Sequence, residues 1–149
     1  MEVMMITVRQ LLQGKGRHVW CVSPEDLVMD ALQIMADKNI GALVVIKMGK
    51  AVGIISERDI VRKVELMGKT SAGTRVREIM TRDVLCASPD HTIEQCMALM
   101  TNKRIRHLPV YEGGNVTGVI SIGDVVKAVI SNQEFMIEQL EKYIVTSST

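Results

Sequence analysis

The sequence is nearly without aromatic side chains: one Trp, two Tyr and one Phe. That scarcity excludes the stacking platforms that hold single-stranded nucleic acid. Net charge is almost absent too, at +1. With no basic face to draw in a polyanion, nucleic acid is not an expected partner. No apolar run approaches the roughly 18 residues of a membrane span. The opening stretch, Met1 to Arg9, has no basic region ahead of its apolar part, so no signal peptide is expected. Cysteine is scarce, with only Cys21, Cys86 and Cys96. An odd number without metal-ligand spacing suits reduced thiols and a cytoplasmic protein. Cys21 and Cys86 stand at matching positions. They read either as buried apolar cysteines on matching strands or as a redox pair.

Catalytic groupings are missing as well. His18, His91 and His107 are scattered and join no Ser-His-Asp, Cys-His or metal-ligating set. No Gly-rich strand-turn-helix fingerprint is present, so any NAD would bind as an adenine nucleotide and not as in a dehydrogenase. The expectation is a protein that is not an enzyme and holds no metal.

What is present is a core and a repeat. Apolar residues make up 47% of 149, enough for one domain or two small ones sharing an interface. Met, at 11, shares core filling with Val, Ile and Leu and suits adaptable surfaces. The repeat shows in Gly53-Ile54-Ile55-Ser56-Glu57-Arg58-Asp59, which returns as Gly118-Val119-Ile120-Ser121-Ile122-Gly123-Asp124. The offset is 65 residues (118 less 53, and 124 less 59). At that offset Ser23-Pro24 falls on Ser88-Pro89, Met35 on Met100, Leu43 on Leu108 and Gly49 on Gly114. No gap is needed from Ser23 to Val64. Two copies are too few for a solenoid, which needs about three or more. They are expected to pack on each other about a pseudo-two-fold axis.

Each copy reads as β-α-β-β-α. A short β-run, His18–Val22 or Asp83–Ala87, comes first. Ser23-Pro24-Glu25-Asp26 and Ser88-Pro89-Asp90 predict helix starts, with Ser as the cap and Pro at the first helical position. Leu43–Ile46 and Ala51–Ile55 predict a hairpin closed at Gly49. Its counterpart runs from Leu108 to Ile120. Pro109 has no N–H, so its strand should begin there or be an edge there. A second helix opens near Asp59 and near Asp124. The divisions are 8–66, a linker over 67–75, 76–131, and a C-terminal helix and tail over 132–149. In that last helix Phe135, Met136, Leu140, Tyr143 and Ile144 fall on or near one face, suited to the module or to a second subunit. The tail from Thr146 should fray.

A tandem β-α-β-β-α unit whose hairpin ends in Gly-apolar-apolar-Ser-x-x-Asp resembles the CBS-domain family, over roughly residues 8–131. The resemblance implies an α+β fold, a stand-alone tandem CBS-domain pair (a Bateman module). It implies two clefts between the repeats, a homodimer, and an adenine nucleotide ligand that signals energy or redox state to an effector protein. AMP is the first expectation, with NAD(H) or ATP as alternatives. An interaction scaffold with degenerate clefts is a second reading, and a thiol-based redox adaptor a third.

Asp59 and Asp124 are the ribose candidates, since a carboxylate accepts from two adjacent hydroxyls. Ser-x-x-Asp is also close to a capping box, so Ser56 and Ser121 can cap and face the cleft together. For phosphate the stretch Lys103-Arg104-Ile105-Arg106-His107 offers Arg104, Arg106 and His107. The resemblance points Arg106 and His107 into the central cleft, and the guanidinium fork of Arg106 suits phosphate oxygens. His107 serves instead as a neutral donor or a packed ring on the other reading. Arg58 either reaches a phosphate in the opposite cleft or stays solvated. Its counterpart is Gly123, so the two sites are expected to differ. For the base, the resemblance implies Val84, Leu108, Pro109 and Ile120 in one copy and Val19, Leu43, Val44 and Ile55 in the other. All eight are equally core candidates.

Overall fold

The computed structural model describes residues 6–16 and 18–147, with side chains as far as Lys142. Met1–Met5, Arg17, Ser148 and Thr149 lie outside the described residues, and so do the side chains of Tyr143 and Ile144.

The first repeat contains β1 (Cys21–Val22), α2 (Val28–Lys38), β2 (Ala42–Lys47), β3 (Lys50–Ser56) and α3 (Glu57–Ile60), after a lead-in helix α1 (Val8–Lys15). The helix begun by α3 continues as a π-helical turn, Val61–Glu65. A short lead-in, α4 (Val76–Ile79), precedes α5 (Ile93–Lys103), β4 (His107–Glu112), β5 (Asn115–Ser121) and α6 (Ile122–Ser147). The hairpins β2–β3 and β4–β5 are antiparallel, and each shifts register at the same point, Val45/Ile46 and Val110/Tyr111. Their turns need positive φ at both central residues. Met48 and Gly49 supply 54° and 78°, and Gly113 and Gly114 supply 61° and 82°.

The first strands are shorter than expected. The run His18–Val22 pairs only at Cys21 and Val22, with Val44 and Val45. Asp83–Ala87 is reduced to a single parallel bridge, Ala87 with Val110. Pro109 explains the difference. It stands where the first copy has Val44 and has no N–H to extend the ladder toward Leu85. Its strand does not begin there, because His107 already pairs with Ser121. The outward face of β1 leaves Cys21 exposed, and Cys86 is only half-buried, so the buried matching pair is not found.

Ser23-Pro24 and Ser88-Pro89 are not the helix caps. The helices start later, where the Asp30 carboxylate accepts from Leu27 N–H at 3.0 Å and Thr92 Oγ1 accepts from Gln95 N–H at 3.1 Å. The Ser-Pro turns instead receive the free N–H groups of the lead-in helices, which would otherwise lack partners. Val76 and Arg77 donate to the Asp26 and Pro24 carbonyls at 2.8 and 3.0 Å. Val8 and Arg9 donate to His91 and Pro89 at 2.8 and 2.9 Å. These matched pairs are the local signature of the pseudo-two-fold axis.

Each lead-in therefore packs on the other repeat. Val76, Ile79 and Met80 join the core of the first repeat with Val28, Met35, Leu43 and Ile55. Val8 and Leu12 join that of the second with Ile93, Met100, Leu108 and Ile120. Two matched glycines permit the crossing. A Cβ at Gly53 would meet Met80 Sδ at 2.7 Å, and one at Gly118 would meet Leu12 Cδ2 at 2.8 Å. The exchange ties both repeats into one interdependent unit and brings the heads of α3 and α6 to the seam.

Candidate functional site

Both second helices start from the same device. Ser56 Oγ accepts from Asp59 N–H at 3.2 Å, and Asp59 Oδ2 accepts from Ser56 N–H at 3.1 Å. Ser121 Oγ accepts from Asp124 N–H at 3.1 Å, and Asp124 Oδ2 accepts from Ser121 N–H at 2.8 Å. These are capping boxes. Capping does not withdraw the groups, for both Ser-Asp pairs also line cavities between the repeats.

The Asp59 cleft has a volume of about 290 Å³. The Asp124 cleft has about 400 Å³. Small-molecule sites span roughly 300–1,000 Å³, so both fall at the small end. Gly41, Ala42 and His107 line both clefts and separate them. The pseudo-symmetry breaks at this seam. Gly41-Ala42 stands where the second copy has Arg106-His107, and the small pair makes room for the large one. The His107 ring lies 3.7 Å from where a Gly41 Cβ would be.

Charge is divided unequally as a result. Arg58, Arg104 and Arg106 all line the Asp59 cleft, with Glu57 and Asp83. Arg58 thus faces its own Asp59 cleft, not the opposite one. Val84 and Pro109 line it too, beside Ile54, Leu85 and Thr81. The Asp124 cleft carries Lys15, His18 and Trp20. The His18 and Trp20 rings lie 4.0 Å apart, and Lys38 Nζ lies 4.4 Å above the Trp20 ring.

His107 is held below its ordinary pKa, first by burial, then by Lys15 and Arg106, with Asp124 opposing. A ring so placed is neutral at pH 7 and acts as a neutral donor or acceptor. At Asp124, burial pushes the carboxyl up. The Lys15 ammonium and the Ser121 cap outweigh it, and the pKa ends below the usual value. Burial raises the thiols of Cys86 and Cys96. That keeps both protonated near neutrality, while the third thiol, Cys21, is exposed.

The expected base set needs correction. Leu43, Val44, Ile55, Leu108 and Ile120 are at most 1% exposed and line neither cleft. Val19, half-buried, lines neither as well. For Leu43, Ile55, Leu108 and Ile120 the reason is strand parity, since neighbouring residues face opposite sides; Val44 pairs with Ile54 and shares its face, yet is fully buried. Ile55 and Ile120 point to the helices, while Ile54 and Val119 point to the clefts. Lys15, His18, Trp20 and Thr81 are cleft residues that sequence reasoning missed. The only hint was that Lys15 sits in an insert the second copy lacks.

Among the described residues no group of His, Cys, Asp and Glu could hold a metal ion, and no helix is long and apolar enough to cross a membrane.

The CBS-domain family model matches residues 15–66 and 76–131. A mitochondrial CBS domain-containing protein of Arabidopsis thaliana, CBSX3, is 38% identical, over 93% of this chain and 71% of that protein. A putative signal-transduction protein with CBS domains from Burkholderia ambifaria superposes with a TM-score of 0.82 at 48% identity, covering 85% of this chain and 96% of that one. The CBS domain pair of the protein MJ0100, solved with 5′-methylthioadenosine and S-adenosyl-L-methionine, superposes with a TM-score of 0.75 at 25% identity, covering 86% and 98%. The interlocked repeats, the paired capping boxes and these matches agree: the chain belongs to the CBS-domain family, as a tandem pair.

Proposed function

We propose that this chain is an adenine-nucleotide sensor, with AMP the preferred ligand ahead of NAD(H) or ATP, working in the cytosol on an effector protein. The observation that carries the reading is the Asp59 cleft. It joins a carboxylate at a helix head, three arginines and an apolar wall of Ile54, Val84 and Pro109. Asp59 accepts from the ribose hydroxyls. Arg106, Arg104 and Arg58 meet the phosphate, where planar forks suit its oxygens. Ser56 holds the carboxylate in place. The adenosine-type ligands of the MJ0100 pair support the same ligand class here. In the Asp124 cleft, Asp124 and Ser121 take the corresponding roles and His107 borders both sites.

The test is calorimetry with AMP and 2′-deoxy-AMP. Asp59→Ala removes charge-assisted bonds worth about 1.5–3 kcal/mol each, a tenfold loss or more for AMP. The deoxy ligand starts weaker and loses less, because only its 3′ contact remains to be lost. Equal losses for both ligands would reduce Asp59 to a helix cap and sink the assignment.

We further propose a homodimer. Val61 and Val126, matched by the repeat, are 51% and 44% exposed, and Ile130 on α6 is 49% exposed. Apolar residues at matching places on both second helices favour a second copy as the cover.

A further inference from the structure

Each of the two helix-head carboxylates is met by a lysine, but from different sides. Lys63 lies one turn beyond Asp59, with Nζ 3.1 Å from Oδ1. Its bond to the Ile79 carbonyl, 2.9 Å, draws it toward α4, and it does not line the cleft. Lys15 comes from α1, across the seam. Its Nζ lies 2.5 Å from Asp124 Oδ2 and 2.6 Å from the Val119 carbonyl. Lys15, Val119 and Asp124 all line the Asp124 cleft. One lysine braces its carboxylate from outside the cavity; the other stands inside the cavity on its carboxylate.

The difference begins in the sequence. Gln13-Gly14-Lys15-Gly16 has no counterpart in the second copy. It lengthens α1 to 8 residues against 4 in α4, and that extra turn carries Lys15 to Asp124. In the other cleft the matching approach is made only by the Thr81 hydroxyl, 3.4 Å from Asp59 Oδ1.

We propose that Lys15 is an internal occupant of the Asp124 cleft, so that the two clefts fill in order, the Asp59 cleft first. Its ammonium holds the carboxylate and carbonyl oxygens that a nucleotide would use. The inference rests on the reading of the two aspartates as ribose acceptors. Ribose hydroxyls carry no net charge, so they meet this carboxylate without the ion-pair attraction that the Lys15 ammonium adds to its hydrogen bond. A ligand entering this cleft must turn Lys15 out, and its apparent affinity falls by the fraction of time the cleft stands open. The Lys15 side chain is 39% exposed, so it has solvent to turn into.

The chain supplies its own reporter. Its one Trp, Trp20, lines the Asp124 cleft and not the Asp59 cleft. Fluorescence therefore follows one cleft, while calorimetry follows both. With AMP as the probe, the wild type should show a tight phase silent in fluorescence, then a weaker phase that moves it. Lys15→Met keeps the length of the side chain and removes its charge. It should shift the fluorescent phase at least tenfold toward lower AMP and leave the silent phase where it was. On an Asp59→Ala background the fluorescent phase should dominate, and adding Lys15→Met should shift it by the same factor. Lys15→Arg, which keeps the charge, should leave that phase weak. A fluorescent phase that stays put or weakens in Lys15→Met overturns the proposal and makes Lys15 a ligand contact or a strut; the silent phase then still stands for nucleotide binding. Tightening in Lys15→Arg as well would trace the effect to α1 packing, and overturns it too. Absence of any heat with AMP in all of these proteins would overturn the nucleotide reading itself.

Discussion

His107 has the most constrained environment of the candidate residues. It sits between both clefts, against Gly41, with Lys15 and Arg106 nearby. Its folded pKa lies below the unfolded value of 6.5, so the unfolded chain binds the extra proton first. Stability is then full above about pH 6.5 and falls as pH drops from there toward the folded value. Asp124, also depressed, adds a separate loss that begins only as pH falls through the range below 3.8. Urea titrations between pH 7.5 and 5 should show the first decline, and His107→Gln should flatten it. A slope unchanged in that variant would assign the effect elsewhere. Among the phosphate candidates, Arg106→Lys keeps the charge and loses the fork. AMP affinity should fall, yet by less than in Arg106→Ala, as calorimetry would read.

At the scale of elements, the crossing of each lead-in over the opposite hairpin is the sensitive point. Gly53→Ala and Gly118→Ala insert a Cβ where no room exists. Overpacking of this kind costs about 1–3 kcal/mol. Gly53→Ala should be the more harmful, because the Thr81 carbonyl is 3.0 Å away and is backbone. At Gly118 the near atoms belong to the Leu12 side chain, which can shift. Denaturant midpoints would rank the two. Leu12→Ala should itself cost about 2–5 kcal/mol as a cavity. Combined with Gly118→Ala it should cost less than the sum, because the new methyl then has space.

For the whole molecule, exchange of lead-ins means that neither repeat holds its core alone. Loss of Leu12 packing should therefore lower hydrogen-exchange protection first in β4, β5 and α5, although Leu12 precedes the first repeat in the chain. Assembly is a separate matter. Val126→Asp with Ile130→Asp places charges on the exposed apolar face of α6 and should yield a monomer in light scattering, with the fold intact by circular dichroism. A dimer mass that survives both changes would move the interface elsewhere.

The sequence by itself determined the repeat, its β-α-β-β-α order, the hairpin turns and the Ser-x-x-Asp helix heads. All of these are local, written in turn chemistry, periodicity and a fixed offset of 65 residues (124 less 59). It placed Asp59, Asp124, Ser56, Ser121, Arg104, Arg106, His107, Val84 and Pro109 at the clefts they line, but offered Arg58 the opposite cleft or solvent, where the structure has it at the Asp59 cleft. It misjudged Ile55 and Ile120 against Ile54 and Val119, because a strand presents alternate faces and an all-apolar run hides which face is which. It misjudged Ser23 and Ser88, since the N–H groups that claim those turns come from helices far along the chain. Tertiary structure alone decided that the lead-ins exchange partners. It alone decided that Gly41-Ala42 yields space to Arg106-His107, and that Lys15 lies on Asp124 across 109 positions of sequence. Such contacts depend on how two near-identical units fit together, and nothing local to either unit encodes them.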